Sequence, residues 1–131
     1  FEERAACFEE QYAGYTAVDD VKLNGKLTLG ENVADNGGLR IALMALKDAL
    51  EGREFGEIDG YTPTQRFFLA NAQVWCTNTT DERARLLATV DPHSPGRWRV
   101  NGVVANMPEF AEAFSCPADA PMVRKDACRV W

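Results

Sequence analysis

Four leucines, Leu39, Leu43, Leu46 and Leu50, recur at i, i+4, i+7 and i+11, which lays one apolar stripe along a long helix. The spacing predicts that helix over Glu31 to about Glu51, with Gly52 placed to stop it. Its first turns read LGENVADNGGLR and carry an unfavourable choice. Glu31 and Asp35 stand one turn apart on the same face, with no basic residue nearby before Arg40. Like charges at that spacing weaken a helix by a few tenths of a kcal/mol, so something outside the stretch has to compensate. Gly37 and Gly38 follow, each about 1 kcal/mol less favourable than alanine inside a helix. A glycine pair there suits a close backbone approach or a bend.

The rest of the chain arranges itself around this element. Phe1, Phe8, Tyr12 and Tyr15 give a helical period that ends near Gly14. A loop follows, with a short extended piece and a turn at Asn24-Gly25. Thr64 reads as the N-cap of a largely buried helix through Phe67, Phe68, Asn71, Trp75 and Thr79. Asp81 caps a further helix that Pro92 closes. The stretch DPHSPGRWRVNGVVANM, with two prolines and two glycines, reads as irregular with a brief extended part around Val100, Val103 and Val104. Pro108 fits the first turn of a helix to about Phe114. Ser115 to Trp131 has little periodicity and is expected to be stapled down. The fold class is thus mainly α, helices joined by long loops, and residues 1–131 read as a single segment. That is more loop than a self-sufficient bundle carries, and it suits a piece of something larger.

Composition removes several functions. With 46% hydrophobic and 26% charged residues the chain is ordinary globular material. A formal charge of −6 lacks the basic footprint of a nucleic-acid binder or of contact with an anionic membrane. No apolar run approaches the roughly 20 residues that cross a bilayer. The start at Phe1 suggests a processed product or part of a longer polypeptide. Cys7, Cys76, Cys116 and Cys128 sit at no zinc-ligand spacing, and disulfides in an oxidising compartment are the better reading. Four cysteines allow three pairings, and sequence alone chooses none of them.

Two constellations could carry chemistry. Glu31 could ligate zinc while Asp35, a turn away, hydrogen-bonds a histidine ligand; the plainer reading is two acids favoured near a helix N-terminus. His93, the only histidine, lies between Pro92 and Pro95 with Arg99 six residues later. A loop stiffened in this way can aim an imidazole and a guanidinium at one spot, suited to an oxyanion and a substrate carbonyl. Taken alone, a single histidine in such a loop reads first as structural or merely exposed. Ser94 beside His93 makes no triad, because sequence neighbours rarely face each other as a triad requires. Asn78-Thr79-Thr80 is an N-glycosylation sequon by pattern.

GENVADNGGL, FFLANAQVWC, DPHSPGRWRVNGVVANMPEFAEAFSC and the terminal CRVW, in this order, resemble the C-terminal part of the neprilysin and endothelin-converting-enzyme family of zinc metallopeptidases. The joint pattern E-N-x-x-D, Gly-Gly, H-S-P-x-x-x-R and C-x-x-W is far more specific than any one piece. The resemblance implies a zincin-like catalytic domain of which this is the C-terminal part. It implies Glu31 as a zinc ligand, Asp35 as the catalytic acid that orients a zinc-bound histidine, His93 as the transition-state-stabilising residue, and Arg99 as the residue that binds the substrate carbonyl. It also implies a Cys7–Cys128 disulfide, and leaves Cys76 and Cys116 without the upstream cysteines they pair with in relatives.

One departure is countable. The family's zinc site needs H-E-x-x-H, two histidine ligands and a glutamate base, and a chain with one histidine cannot supply it. What the resemblance implies is one zinc ion shared with two histidines of a missing upstream motif. The partners would be peptide substrates and the remaining N-terminal part of the same peptidase, and the location extracytoplasmic. The isolated chain is expected to be inactive. The rival reading is a non-catalytic helical remnant, or pseudo-peptidase, kept for binding.

Overall fold

The leucine stripe runs along the C-terminal half of the longest helix in the computed structural model, which describes residues 1–130. Trp131, the last residue of the C-x-x-W pattern, lies outside the described residues. Helix α1 (Glu2–Ala13) ends at Gly14, where the periodicity placed its end. A short antiparallel pair follows, β1 (Thr16–Val18) with β2 (Val21–Lys22), which pairs Thr16 with Lys22 and Val18 with Val21. Helix α2 (Leu29–Leu50) starts two residues before the predicted Glu31 and gives way to Gly52 at φ +69°. Helix α3 (Pro63–Val74), α4 (Asp81–Val90), α5 (Gly96–Val104) and α6 (Pro108–Ala113) complete the order.

Local chemistry explains where the boundaries differ from expectation. Thr62, not Thr64, caps α3. Its side chain accepts from the Gln65 backbone at 3.2 Å while the Gln65 side chain accepts from the Thr62 N–H at 2.9 Å, and Pro63 takes the first turn. The helix stops at Val74, so Thr79 lies in an exposed loop, and Phe68 is the only residue of α3 that is fully buried. Thr80 rather than Asp81 caps α4.

The larger correction concerns residues 96–104, which form a helix where the glycines suggested irregular backbone. Pro95 sets the entry, and both glycines serve packing. A Cβ on Gly96 would fall 2.7 Å from the Trp75 carbonyl oxygen, and one on Gly102 would fall 2.7 Å from the Tyr12 hydroxyl. Val103 and Val104 then bury helical neighbours rather than alternating strand positions.

Two apolar clusters hold the elements. Phe8, Tyr12, Leu23, Val33 and Cys128 join α1 and the start of α2 to the tail, with Tyr15 stacked on Trp98 at their edge. Leu43, Phe68, Val103, Val104 and Met107 gather under α3 and α6, flanked by Leu39 and Leu46. Each fully buried Leu or Phe contributes roughly 1.5–3 kcal/mol. The tail is stapled, as its composition suggested. Cys7 and Cys128 are disulfide-bonded across 121 residues, and closing such a loop is worth about 5 kcal/mol in the entropic model. Cys76 and Cys116 are free thiols. Among the described residues no helix is long and apolar enough to cross a membrane.

Candidate active site

The compensation that Glu31 and Asp35 require comes from 64 residues away. Helix α5 runs against α2 and projects Arg99 onto the acidic face, where its Nε and Nη2 each donate to one Asp35 oxygen at 2.6 Å. This fork is bidentate and well shielded, with side-chain exposures of 15% for Arg99 and 18% for Asp35. The same Nη2 lies 3.9 Å from the Glu31 carboxylate. Trp75, at the end of α3, covers the guanidinium with its ring centroid 4.0 Å away. The hydrogen bonds from Arg99 to Asp35 hold the guanidinium's pKa above its ordinary value, so this cation stays charged at any working pH. Arg40, the nearest base in sequence, points elsewhere, to Glu109 at 3.4 Å and to the Asn106 carbonyl at 3.2 Å.

The loop between α4 and α5 brings in the histidine. His93 Nε2 lies 3.3 Å from Glu31 Oε2, and Nδ1 lies 2.8 Å from Asp91 Oδ1. The His93 backbone N–H also donates to that Asp91 oxygen at 2.9 Å. That backbone bond, seconded by the ring contact, holds the Asp91 carboxyl below the usual carboxylate range. Both ring nitrogens thus face carboxylate oxygens. Glu31, Asp35, His93 and Arg99 therefore meet in one cluster, from three separate segments. Trp75, His93 and Arg99 line an adjoining cleft of about 870 Å³, and Asp35, Gly38 and Arg99 line a second of about 300 Å³.

Behind the cluster lies a buried polar layer that sequence reasoning missed. Asn32, Asn36 and Asn106 are 1%, 8% and 2% exposed. Asn106 Nδ2 donates to Gln11 Oε1 at 2.8 Å and to Asn36 Oδ1 at 3.1 Å, and its Oδ1 accepts from the Cys128 N–H at 2.9 Å. Ser94 Oγ donates to Asn32 Oδ1 at 2.7 Å, so its hydroxyl faces away from His93. No spacing rule flags such contacts, because their partners lie 22 to 95 residues apart. The Asp91 and Trp75 contacts were equally silent, although DPH is a short enough motif for an Asx-type turn to be read.

As a metal site the cluster is partial. Among the described residues, no three His, Cys, Asp or Glu side chains come together to hold an ion. The donor set nonetheless suits one ligand. The Glu31 carboxylate is 42% exposed, and its contacts with His93 at 3.3 Å and Arg99 at 3.9 Å leave lone pairs for coordination.

Comparisons with known proteins agree with this architecture. The sequence model of the family described as Peptidase family M13 matches residues 1–130. Neprilysin-1 of Caenorhabditis elegans is 49% identical over 137 residues, covering 100% of this chain and 18% of that protein. Endothelin-converting enzyme 1 of Bos taurus is 42% identical over 134 residues, with the same coverage. The crystal structure of the Mycobacterium tuberculosis zinc metalloprotease ZMP1 in complex with an inhibitor superposes with a TM-score of 0.94 at 38% identity, covering 99% of this chain and 21% of that one. The chain thus spans about a fifth of the length of the relatives it matches. With the family model matched over residues 1–130 and a relative 49% identical across the whole of this chain, the chain belongs to peptidase family M13.

Proposed function

We propose that the complete polypeptide containing this segment is a zinc-dependent endopeptidase or oligopeptidase acting outside the cytoplasm. The observation that carries this reading is the convergence of Glu31, Asp35, His93 and Arg99 on one partly exposed cluster in a chain of peptidase family M13. Glu31 would hold the metal together with two histidines of an H-E-x-x-H motif supplied from outside this chain. When bound, zinc supplies a Lewis acid that activates water and polarises the scissile carbonyl. Asp35 is fixed by Arg99 through one lone pair on each oxygen, which leaves acceptor capacity to orient a histidine ligand. His93, steadied by Asp91, donates a hydrogen bond to the oxyanion that develops on the substrate. Arg99, pre-set by Asp35 and Trp75, binds a carbonyl of the peptide with a guanidinium edge.

Partnership with the rest of the polypeptide is supported by apolar side chains left in solvent. Ile41 and Met44 on α2, Val74 on α3, and Leu86 and Val90 on α4 are each 60% exposed or more. Residues 1–131 would then be one segment of a larger catalytic domain, inactive on their own. The disulfide fits an oxidising, extracytoplasmic setting. The test is cleavage of an internally quenched peptide by the complete polypeptide. Turnover that is abolished by a chelator and restored by zinc supports the reading. No turnover, with H-E-x-x-H absent upstream, supports the non-catalytic remnant instead.

A further inference from the structure

Two neighbouring pairs of residues meet across the α2 surface. Glu31 and Asn32 are consecutive on α2, and His93 and Ser94 are consecutive in the loop before α5. The outer members, Glu31 and His93, approach to 3.3 Å and are 42% and 45% exposed. The inner members, Asn32 and Ser94, are joined by a 2.7 Å hydrogen bond and are 1% and 4% exposed. The Asn32 amide is fixed at both ends, since its Nδ2 donates to Thr28 Oγ1 at 2.9 Å while its Oδ1 accepts from Ser94. Thr28 in turn donates to the Asn24 carbonyl at 3.1 Å. Pro92 and Pro95 contribute no N–H of their own, so a side-chain bond ties this loop to α2.

We infer that Ser94 is a positioning residue: by bonding Asn32 it fixes the loop that sets His93 beside Glu31, and it acts on turnover without touching substrate. Its hydroxyl is buried and committed, so nucleophilic use is excluded by direction as well as by the triad argument. The proposal rests on the reading of His93 as the oxyanion contact, because misplacing a catalytic group by about 1 Å can lower a rate by roughly a hundredfold.

The test uses the complete polypeptide. Ser94→Ala should lower kcat about tenfold, leave KM within about twofold, and leave zinc content unchanged. In a His93→Ala background the same change should add less than about twofold, since the group it positions is gone. Ser94→Thr, which keeps the hydroxyl, should recover most of kcat. Should the alanine variant not fold, Ser94→Cys, with a weaker donor, enters the same cycle. A tenfold loss that persists in the His93→Ala background, or a kcat within twofold of wild type for Ser94→Ala, overturns the proposal. Deuterium uptake by the peptide covering 91–97 is read alongside and does not depend on turnover. It should rise in Ser94→Ala, and unchanged uptake also overturns the clamp. A wild-type polypeptide that cleaves no peptide refutes the peptidase reading instead, and the uptake experiment still decides whether Ser94 holds the loop.

Discussion

Replacing Arg99 with methionine removes a guanidinium that makes two 2.6 Å bonds to Asp35 and lies 4.0 Å from the Trp75 ring, while keeping an apolar stem of similar length. Charge-assisted bonds contribute about 1.5–3 kcal/mol each. Both partners keep some solvent contact, so screening reduces the pair to about 2–3 kcal/mol of folding stability, with the ring contact adding under about 1 kcal/mol. On the proposed function, the larger effect in the complete polypeptide falls on substrate. Loss of one charge-assisted bond to a peptide carbonyl corresponds to a 10- to 150-fold drop in kcat/KM by the same range. Zinc affinity should change by less than about tenfold, because the Glu31 and Asp35 carboxylates are both retained. Initial rates on a quenched peptide, metal content after dialysis and a urea midpoint separate these effects. Zinc lost in proportion to activity, or kcat/KM left within twofold of wild type, would refute the role assigned to Arg99.

The buried layer makes a stability prediction. Asn106→Ala orphans the Cys128 N–H and removes the two amide N–H groups that Gln11, Asn36 and the Gly102 carbonyl share, and should destabilise the fold by about 3–5 kcal/mol at roughly 1–3 kcal/mol per unsatisfied group, measured by urea denaturation. Burial raises the Tyr12 phenol well above its ordinary value near 10, so the folded state keeps a proton that the unfolded chain releases. Stability is therefore complete below pH 10 and falls as pH rises above it. A denaturation series from pH 8 to 11 should show less of this fall in Tyr12→Phe. Gly38 has nothing within 4 Å of where a Cβ would stand, so Gly38→Ala should raise the stability of this chain by up to about 1 kcal/mol in thermal melts. It should also narrow the cleft that Gly38 shares with Asp35 and Arg99 and so weaken peptide binding.

Periodicity carried most of the fold. The leucine stripe of α2, the aromatic spacing of α1 and the Pro108 start of α6 were all legible, because a helix that buries one face must repeat at 3.6 residues. Helix α5 was not, because Gly96 and Gly102 read as loop formers until Trp75 and Tyr12 are seen pressed against them. The burial expected of Thr79 failed for a different reason, and Asn71 is only half-buried. Among the described residues, Leu69 and Val74 of α3 and Leu86 and Val90 of α4 stay exposed. At the site, the residue types and the Glu31–Asp35 spacing were legible, whereas the Arg99 fork, the Trp75 cover and the Asn32–Ser94 bond join distant segments and leave no local signature.

The central claim is that Glu31 completes a zinc site begun elsewhere in the polypeptide. Zinc bound per molecule, titrated in the complete protein and in Glu31→Ala at equal free metal, tests it most directly. The account predicts at least a tenfold weaker affinity for the variant with the fold intact. Equal zinc affinity in the two proteins would contradict it.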